Sequence, residues 1–311
     1  MARWSAAEVE AMRQLFDQLW DALWPRSRWI GSPGWYTWLV SAPPISLSLV
    51  RDHRVDDQMH WVLGVPAAFR DRVLAAWQNV YQNVRFLPWT HPLTTPDQQV
   101  VRWRLKYRTA IRMVDVVSEY KALPLEMLVQ AVAREAWRDR EKLPDFVWQA
   151  TWVPVPTGRA LRRLEQAAQM ATWEENVAAQ EAADSALEQM GRGRWLTELR
   201  AGTPDYDTAQ RIVSAWGAQN RWAVLRPHSV VVWRRKWAQW MSAGLPRVWP
   251  LAGGHALWSG ECATFFALPT GRLRVADLPR SMTRRMPASR GFSRRPEDGF
   301  MRAEGHDLVG L

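Results

Sequence analysis

The chain has 311 residues, with 41 Lys+Arg against 31 Asp+Glu, a net charge of +10 and an isoelectric point near 10.5. Hydrophobic residues make up 47%, enough for a real core, which excludes a disordered chain; the basic balance points to an anionic partner such as nucleic acid or a membrane surface. The single cysteine, Cys262, excludes an internal disulfide framework and fits a reducing compartment. No run of about 18 apolar residues is present to span a bilayer, and the opening MARWSAAEVEAM lacks the core and cleavage site of a signal peptide.

Residues 5–24 have helical spacing, with Val9, Met12, Phe16, Leu19, Trp20 and Leu23 on one face, Ser5 as N-cap and Pro25 as the stop. The face suits docking on the chain's own core. An interfacial membrane helix is disfavoured by Glu8, Glu10, Asp17 and Asp21 on the polar side. Ile45–Arg51 alternates as a half-buried strand, and His60–Val65 is expected to pair with it. Pro66 opens a helix to about Tyr81, and Val84–Leu87 is a short strand, giving a split-βαβ unit.

Val101–Arg108 reads VRWRLKYR. A period of two puts Val101, Trp103, Leu105 and Tyr107 on one face and Arg102, Arg104, Lys106 and Arg108 on the other. An antiparallel strand with one wet face looks like this, and so does a basic rail for a phosphate backbone or an acidic partner. A helix comes next, from Leu123 to Trp137. Phe146–Val155 is apolar enough to be a central strand, and one long helix is expected over 158–190, closed by Gly191-Arg192-Gly193-Arg194. Trp195–Arg200 is a strand. Thr203 caps a helix to about Gln219 that buries Ile212, Val213 and Trp216. Further strands fall near Val224 and Val230–Trp233, with a helix over 234–241. Residues 145–241 thus read as a second module of the same kind.

No constellation carries chemistry. No G-x-x-x-x-G-K-[ST] and no Gly-Lys pair occurs, so a complete NTPase site is excluded from this sequence. No H-E-x-x-H or C-x-x-C is present, and the six histidines lack ligand spacing. Acid pairs such as Asp56-Asp57 are adjacent and point apart on a strand or helix. Neither a catalytic residue, a metal site nor a cofactor is expected.

From Gly244 the helical periodicity fades. Ser259 is placed to cap a short helix with Glu261 in its first turn, followed by the apolar run Cys262–Leu268 and Pro269. Residues 270–302 then hold nine arginines against three acids, a like-charge block typical of an extended arm.

The stretch from Ser259 to Arg285 (SGECATFFALPTGRLRVADLPRSMTRR) resembles the linker before the motor domain of conjugative type IV secretion ATPases of the TraG/HerA-like kind, where S-x-E-x-A-x-x-x-x-L-P precedes a Pro/Arg-rich run. Phe300–Leu311 (FMRAEGHDLVGL) resembles the strand leading into the family's P-loop. The resemblance implies the non-motor, N-terminal region of such a protein. It extends loosely over residues 41–311, including the strand, strand and helix order of the first module.

The expected fold is α+β: two split-βαβ, ferredoxin-like modules with mixed or antiparallel sheets. The expected segments are residues 1–40 (N-terminal helix and connection), 41–115 and 116–250 (the two modules), and 251–311 (plug helix and basic arm). The resemblance implies a non-catalytic component of a DNA transfer machine, partnered by a separately encoded P-loop motor ATPase and oligomeric. It is expected in the cytoplasm, with peripheral contact at the inner face of the membrane as the further option. The alternative is a stand-alone basic nucleic-acid-binding or scaffold protein. DNA or acidic-partner contacts are expected at Arg102, Arg104, Lys106, Arg108, Arg272, Arg274, Arg284, Arg285, Arg294 and Arg295, and a partner-docking plug at Phe265, Phe266 and Leu268.

Overall fold

The structure, a computed structural model, describes residues 2–24, 44–53, 58–81, 84–91, 93–94, 98–107, 124–139, 145–173, 176–217, 223–227 and 255–268. It is α+β, and among the described residues an antiparallel sheet carries a layer of helices on one face. The strands are β1 (Ile45–Arg51), β2 (His60–Gly64), β3 (Gln99–Tyr107), β4 (Phe146–Pro154), β5 (Arg194–Thr203), β6 (Ala223–Pro227) and β7 (His255–Trp258). Their order is β2-β1-β4-β5-β3-β6, with β7 also paired to β5. β7 takes the edge of β5 along residues 194–197, and β3 takes the same edge along 199–203. Every described pairing is antiparallel.

This topology differs from two separate modules. β4, expected in the second, lies between β1 of the first and β5. β3 of the first lies between β5 and β6 of the second. The reason is lateral demand: β4 is buried along all nine residues, so both of its edges and both faces need neighbours, and the flanking strands come from distant segments. One hydrophobic cluster runs from Met12 to Leu268 and draws on all four of the expected segments. The expected strand at Val84–Leu87 is reduced to a single bridge residue, Arg85.

The helices are α1 (Ala2–Leu23), α2 (Arg70–Val80, after a 3-10 turn at Ala67–Phe69), α3 (Pro124–Asp139), α4 (Gly158–Trp173), α5 (Val177–Gln189), α6 (Tyr206–Gly217) and α7 (Ser259–Phe266). Along the layer α2 neighbours α1, α1 neighbours α7, α7 neighbours α3 and α3 neighbours α6. Met12, Leu15, Phe16, Leu19 and Leu23 of α1 are buried, which bears out core docking for this helix. It starts at Ala2, so Ser5 lies within it and is not its cap. The core is aromatic. Phe16 sits edge-on to Trp152 at 5.2 Å and to Trp195 at 5.6 Å, and Phe266 sits edge-on to Trp152 at 5.0 Å. Such edge-to-face pairs add to the area that each ring buries.

Three expected ends are made differently. The helix expected over 158–190 is described as two helices, α4 ending at Trp173 and α5 beginning at Val177. Asn176 starts α5, its side-chain oxygen accepting the Ala179 N–H at 3.1 Å, and a local cap of this kind outcompetes helix continuation. Thr203 is the last residue of β5, and Asp205 is the cap of α6: its Oδ2 accepts the Thr208 N–H at 2.9 Å and the Thr208 hydroxyl at 2.8 Å. Those bonds favour the charged form and hold the Asp205 carboxyl below its usual range. Ser259 is the first residue of α7, preceded by Trp258 as its cap residue. The Ser259 hydroxyl donates to the Gly193 carbonyl at 3.2 Å, while Glu261 accepts the Trp258 N–H at 2.7 Å.

Gly191 and Gly193 close α5 as expected, and they also let three elements meet. Gly191 has φ +72°, and a Cβ on Gly193 would come within 2.8 Å of Trp20 and 2.7 Å of the Ser259 hydroxyl. Asp17 of α1 accepts the Arg192 and Gly193 N–H groups at 2.8 and 3.1 Å, so this acid of the polar face is structural.

Candidate functional site

The strand pattern creates two faces. Ile45, Leu47, Leu49, Trp148, Ala150, Trp152, Leu199 and Ala201 belong to the hydrophobic core. The alternate positions Ser46, Ser48, Gln149, Thr151, Glu198 and Arg200 are also buried, so the second face carries a polar layer. Ser48 pairs with Gln149, Gln149 with Arg200 and Arg200 with Arg102, a row crossing four strands. Gln149 donates to the Ser48 hydroxyl at 3.2 Å. The Arg200 guanidinium meets Glu198 at 2.8 Å, with side-chain exposures of 0% and 1%. A pair this dry is held by mutual compensation: each charge makes the other's burial tolerable.

At one end of this layer the turn after β1 meets the start of β4. Asp145 Oδ1 accepts the His53 backbone N–H at 2.9 Å, and Oδ2 lies 2.5 Å from His53 Nδ1. Arg51 Nη1 stands 3.7 Å from Oδ1. Asp52 and Asp145 are buried, whereas His53 is 56% exposed. An ionised carboxylate has no proton to give, so a neutral imidazole here carries its hydrogen on Nδ1 and leaves Nε2 as an acceptor. Asp52, His53 and Asp145 each offer one ligand atom, all within 4.8 Å of one another. They fit an ion-paired turn better than a metal. The 2.5 Å contact is a hydrogen bond, shorter than the separation of about 3.3 Å between two ligands of a tetrahedral zinc, and Arg51 already supplies positive charge. Spacing could not reveal this group, because its members are 92 residues apart in sequence. Glu198 and Arg200 were legible only as a same-face pair at period two.

The expected basic strand forms as β3. Its register sets Arg102 across from Arg200 and Arg104 across from Arg226, and cross-strand partners share a face. Arg200 itself is closed to water. The structure describes the backbone of Arg102, Arg104 and Lys106; Arg108, Arg272, Arg274, Arg284, Arg285, Arg294 and Arg295 lie outside the described residues. So do the expected strand over 230–233 and the helix over 234–241.

The plug is placed differently from a docking surface. Phe265, Phe266 and Leu268 are 3%, 0% and 3% exposed, in the same core as α1, α3 and the sheet. Every residue of α7 is buried, so the helix is enclosed on all sides within its own fold. Cys262 sits in it fully buried, close to the Thr197 hydroxyl. Burial first, then the adjacent Glu261 charge, pushes its thiol well above the ordinary cysteine value. Among the described residues no helix is long and apolar enough to cross a membrane.

Comparison of the chain with models of protein families, with curated proteins and with solved structures gives no match.

Proposed function

We propose that the chain is a non-catalytic component of a conjugation-type DNA transfer machine, acting in the cytoplasm beside a separately encoded HerA/FtsK-type motor ATPase. The observation that carries this reading is the Ser259–Pro269 pattern together with the arginine-rich run behind it. Support comes from the way the pattern's polar and apolar positions are used. Ser259 and Glu261 fix the start of α7, and Ala263, Phe266 and Leu268 seat it in the core, so the chain is firmly anchored up to Leu268. The nine arginines of residues 270–302 come directly after. A basic arm on a firm anchor suits contact with a DNA backbone or with the acidic surface of a motor subunit. The cations read charge and not sequence, since phosphate contacts position a protein without specifying bases.

The test is genetic. Deleting the gene from its host is expected to abolish DNA transfer to a recipient. Full-length protein restores it, and a chain with Arg272, Arg274, Arg284, Arg285, Arg294 and Arg295 changed to Gln does not. Undiminished transfer after deletion refutes the reading. A stand-alone nucleic-acid-binding role is favoured by the isoelectric point near 10.5. It predicts salt-dependent DNA binding by the purified chain and wild-type transfer by the deletion strain.

A further inference from the structure

The function proposed above leaves the basic positions of β3 unused, and the sheet adds to them. Register pairs Arg102 with Arg200 of β5, and Arg104 and Lys106 with Arg226 and Val224 of β6. Cross-strand partners share a face, and so do alternate residues of one strand. Arg102, Arg104, Lys106, Arg200 and Arg226 therefore occupy one face of three adjacent strands. Arg194 falls on the same face at the far end of β5, where its guanidinium stacks over the Trp258 ring at 5.7 Å. The odd positions of the three strands hold no charged residue, and α6 packs on that side, with Ile212 and Val213 in one core with Leu199 and Ala201.

The three strands contain one acid, Glu198, and it meets Arg200 at 2.8 Å in the dry layer. They offer no second acid for Arg104 and Arg226, which face each other across β3 and β6. Like charges directly opposite destabilise a sheet, so the pairing suits a place where negative charge arrives from a ligand. Arginine identifies the class of anion, because its planar fork takes two phosphate oxygens at once. Spacing extends the match. Arg102, Arg104 and Lys106 recur along β3 at intervals of about 7 Å, and β6 lies about 5 Å to the side. A row of cations at that interval follows a chain of phosphates. Between Arg102 and Lys106 the face has no apolar position on β3, which the centre of a contact with a protein would need.

We infer that Arg104 and Arg226, flanked by Arg102 and Lys106 along β3, form a phosphate site that holds the backbone of a nucleic-acid strand at the β3–β6 end of the sheet. Arg226 enters it through tertiary pairing alone, more than a hundred residues after β3. The site is distinct from the arginine arm, and it does not rest on the DNA-transfer reading.

The experiment is fluorescence-anisotropy titration of a labelled oligo-dT with the full-length protein over a range of salt. The starting protein carries Gln at the six arm arginines, so that only the rest of the chain is read. It is expected to bind oligo-dT more weakly as salt rises. Adding Arg104→Gln and Arg226→Gln is expected to weaken binding by at least about tenfold, from the loss of two charge-assisted contacts. The salt slope is expected to flatten by about 1.4, at roughly 0.7 for each phosphate of a single strand. Arg226→Gln alone is expected to weaken binding several-fold and to keep or raise the thermal midpoint, since it relieves a like-charge pair. A midpoint lowered by Arg226→Gln would mean that the arginine pairs with an acid of its own fold, and this overturns the inference. So does a starting protein that fails to bind, or a double variant with unchanged affinity and slope. Displacement of the oligonucleotide by inorganic phosphate or polyglutamate, at equal charge and ionic strength, overturns the assignment to nucleic acid.

Discussion

Arg200 and Glu198 are the residues whose removal is most informative, because two opposite charges meet at 2.8 Å in a dry layer. Arg200→Met alone leaves Glu198 buried without its guanidinium, and urea denaturation is expected to show a loss of about 3–5 kcal/mol. Adding Glu198→Leu removes the stranded charge, and the double variant is expected to recover most of that loss. If the double variant is no more stable than the single one, the pair has a role other than mutual neutralisation. At the surface, Asp205 tests a helix cap. Asp205→Ala is expected to cost about 1 kcal/mol at neutral pH. Its carboxyl is held below the ordinary aspartate range in the folded protein, so its contribution is complete above that range and is lost as pH falls through the folded value. The gap between wild type and Asp205→Ala should therefore close in acid. A gap unchanged by acid would place the stabilisation elsewhere than in the charged cap.

At the scale of elements, α1, α7 and the Gly191–Gly193 turn depend on one another. Gly193 is the closest approach, with Trp20 on one side and Ser259 on the other. Gly193→Ala inserts a methyl where none fits, and a stability loss of about 1–3 kcal/mol is expected by thermal or chemical denaturation. A variant as stable as wild type would show that α1 and α7 can part at no cost. α7 can be tracked through Cys262. Burial and a raised thiol value both suppress the thiolate, so the native protein at mildly alkaline pH is expected to resist a thiol-reactive dye that labels the urea-unfolded chain fully. Rapid native labelling would mean that α7 leaves the core.

At the scale of the whole molecule, charge is the property to measure. Binding of duplex DNA is expected to weaken steeply with salt. Changing the six arginines at 272, 274, 284, 285, 294 and 295 to Gln is expected to flatten the slope by up to about five, at roughly 0.9 for each phosphate no longer neutralised. A slope that does not change with those substitutions would move the DNA contact onto the body, and β3 would be the first place to look.

How much of this was legible depends on whether the signal is local. The amphipathic face of α1, the strand periods of β1 and β3 and the apolar run of β4 were readable, because helical and strand periods bring nearby residues onto one face; that β1 is buried along all seven residues, and not half-buried as its alternation suggested, was not. So was the break in character after Leu268, which composition alone reveals. Caps were misplaced by a residue or two: Asp205 and not Thr203 accepts the Thr208 N–H at the start of α6, and the Ser259 hydroxyl turns to the Gly193 carbonyl, which leaves Trp258 as the cap residue of α7. The tertiary structure decided that β4 and β5 carry strands of both halves in one sheet, that α7 plugs its own core, and that Asp145 meets His53 from 92 residues away. Those outcomes come from strand pairing and packing between distant segments, where the sequence between the partners adds closure entropy but no record of which edge will be met.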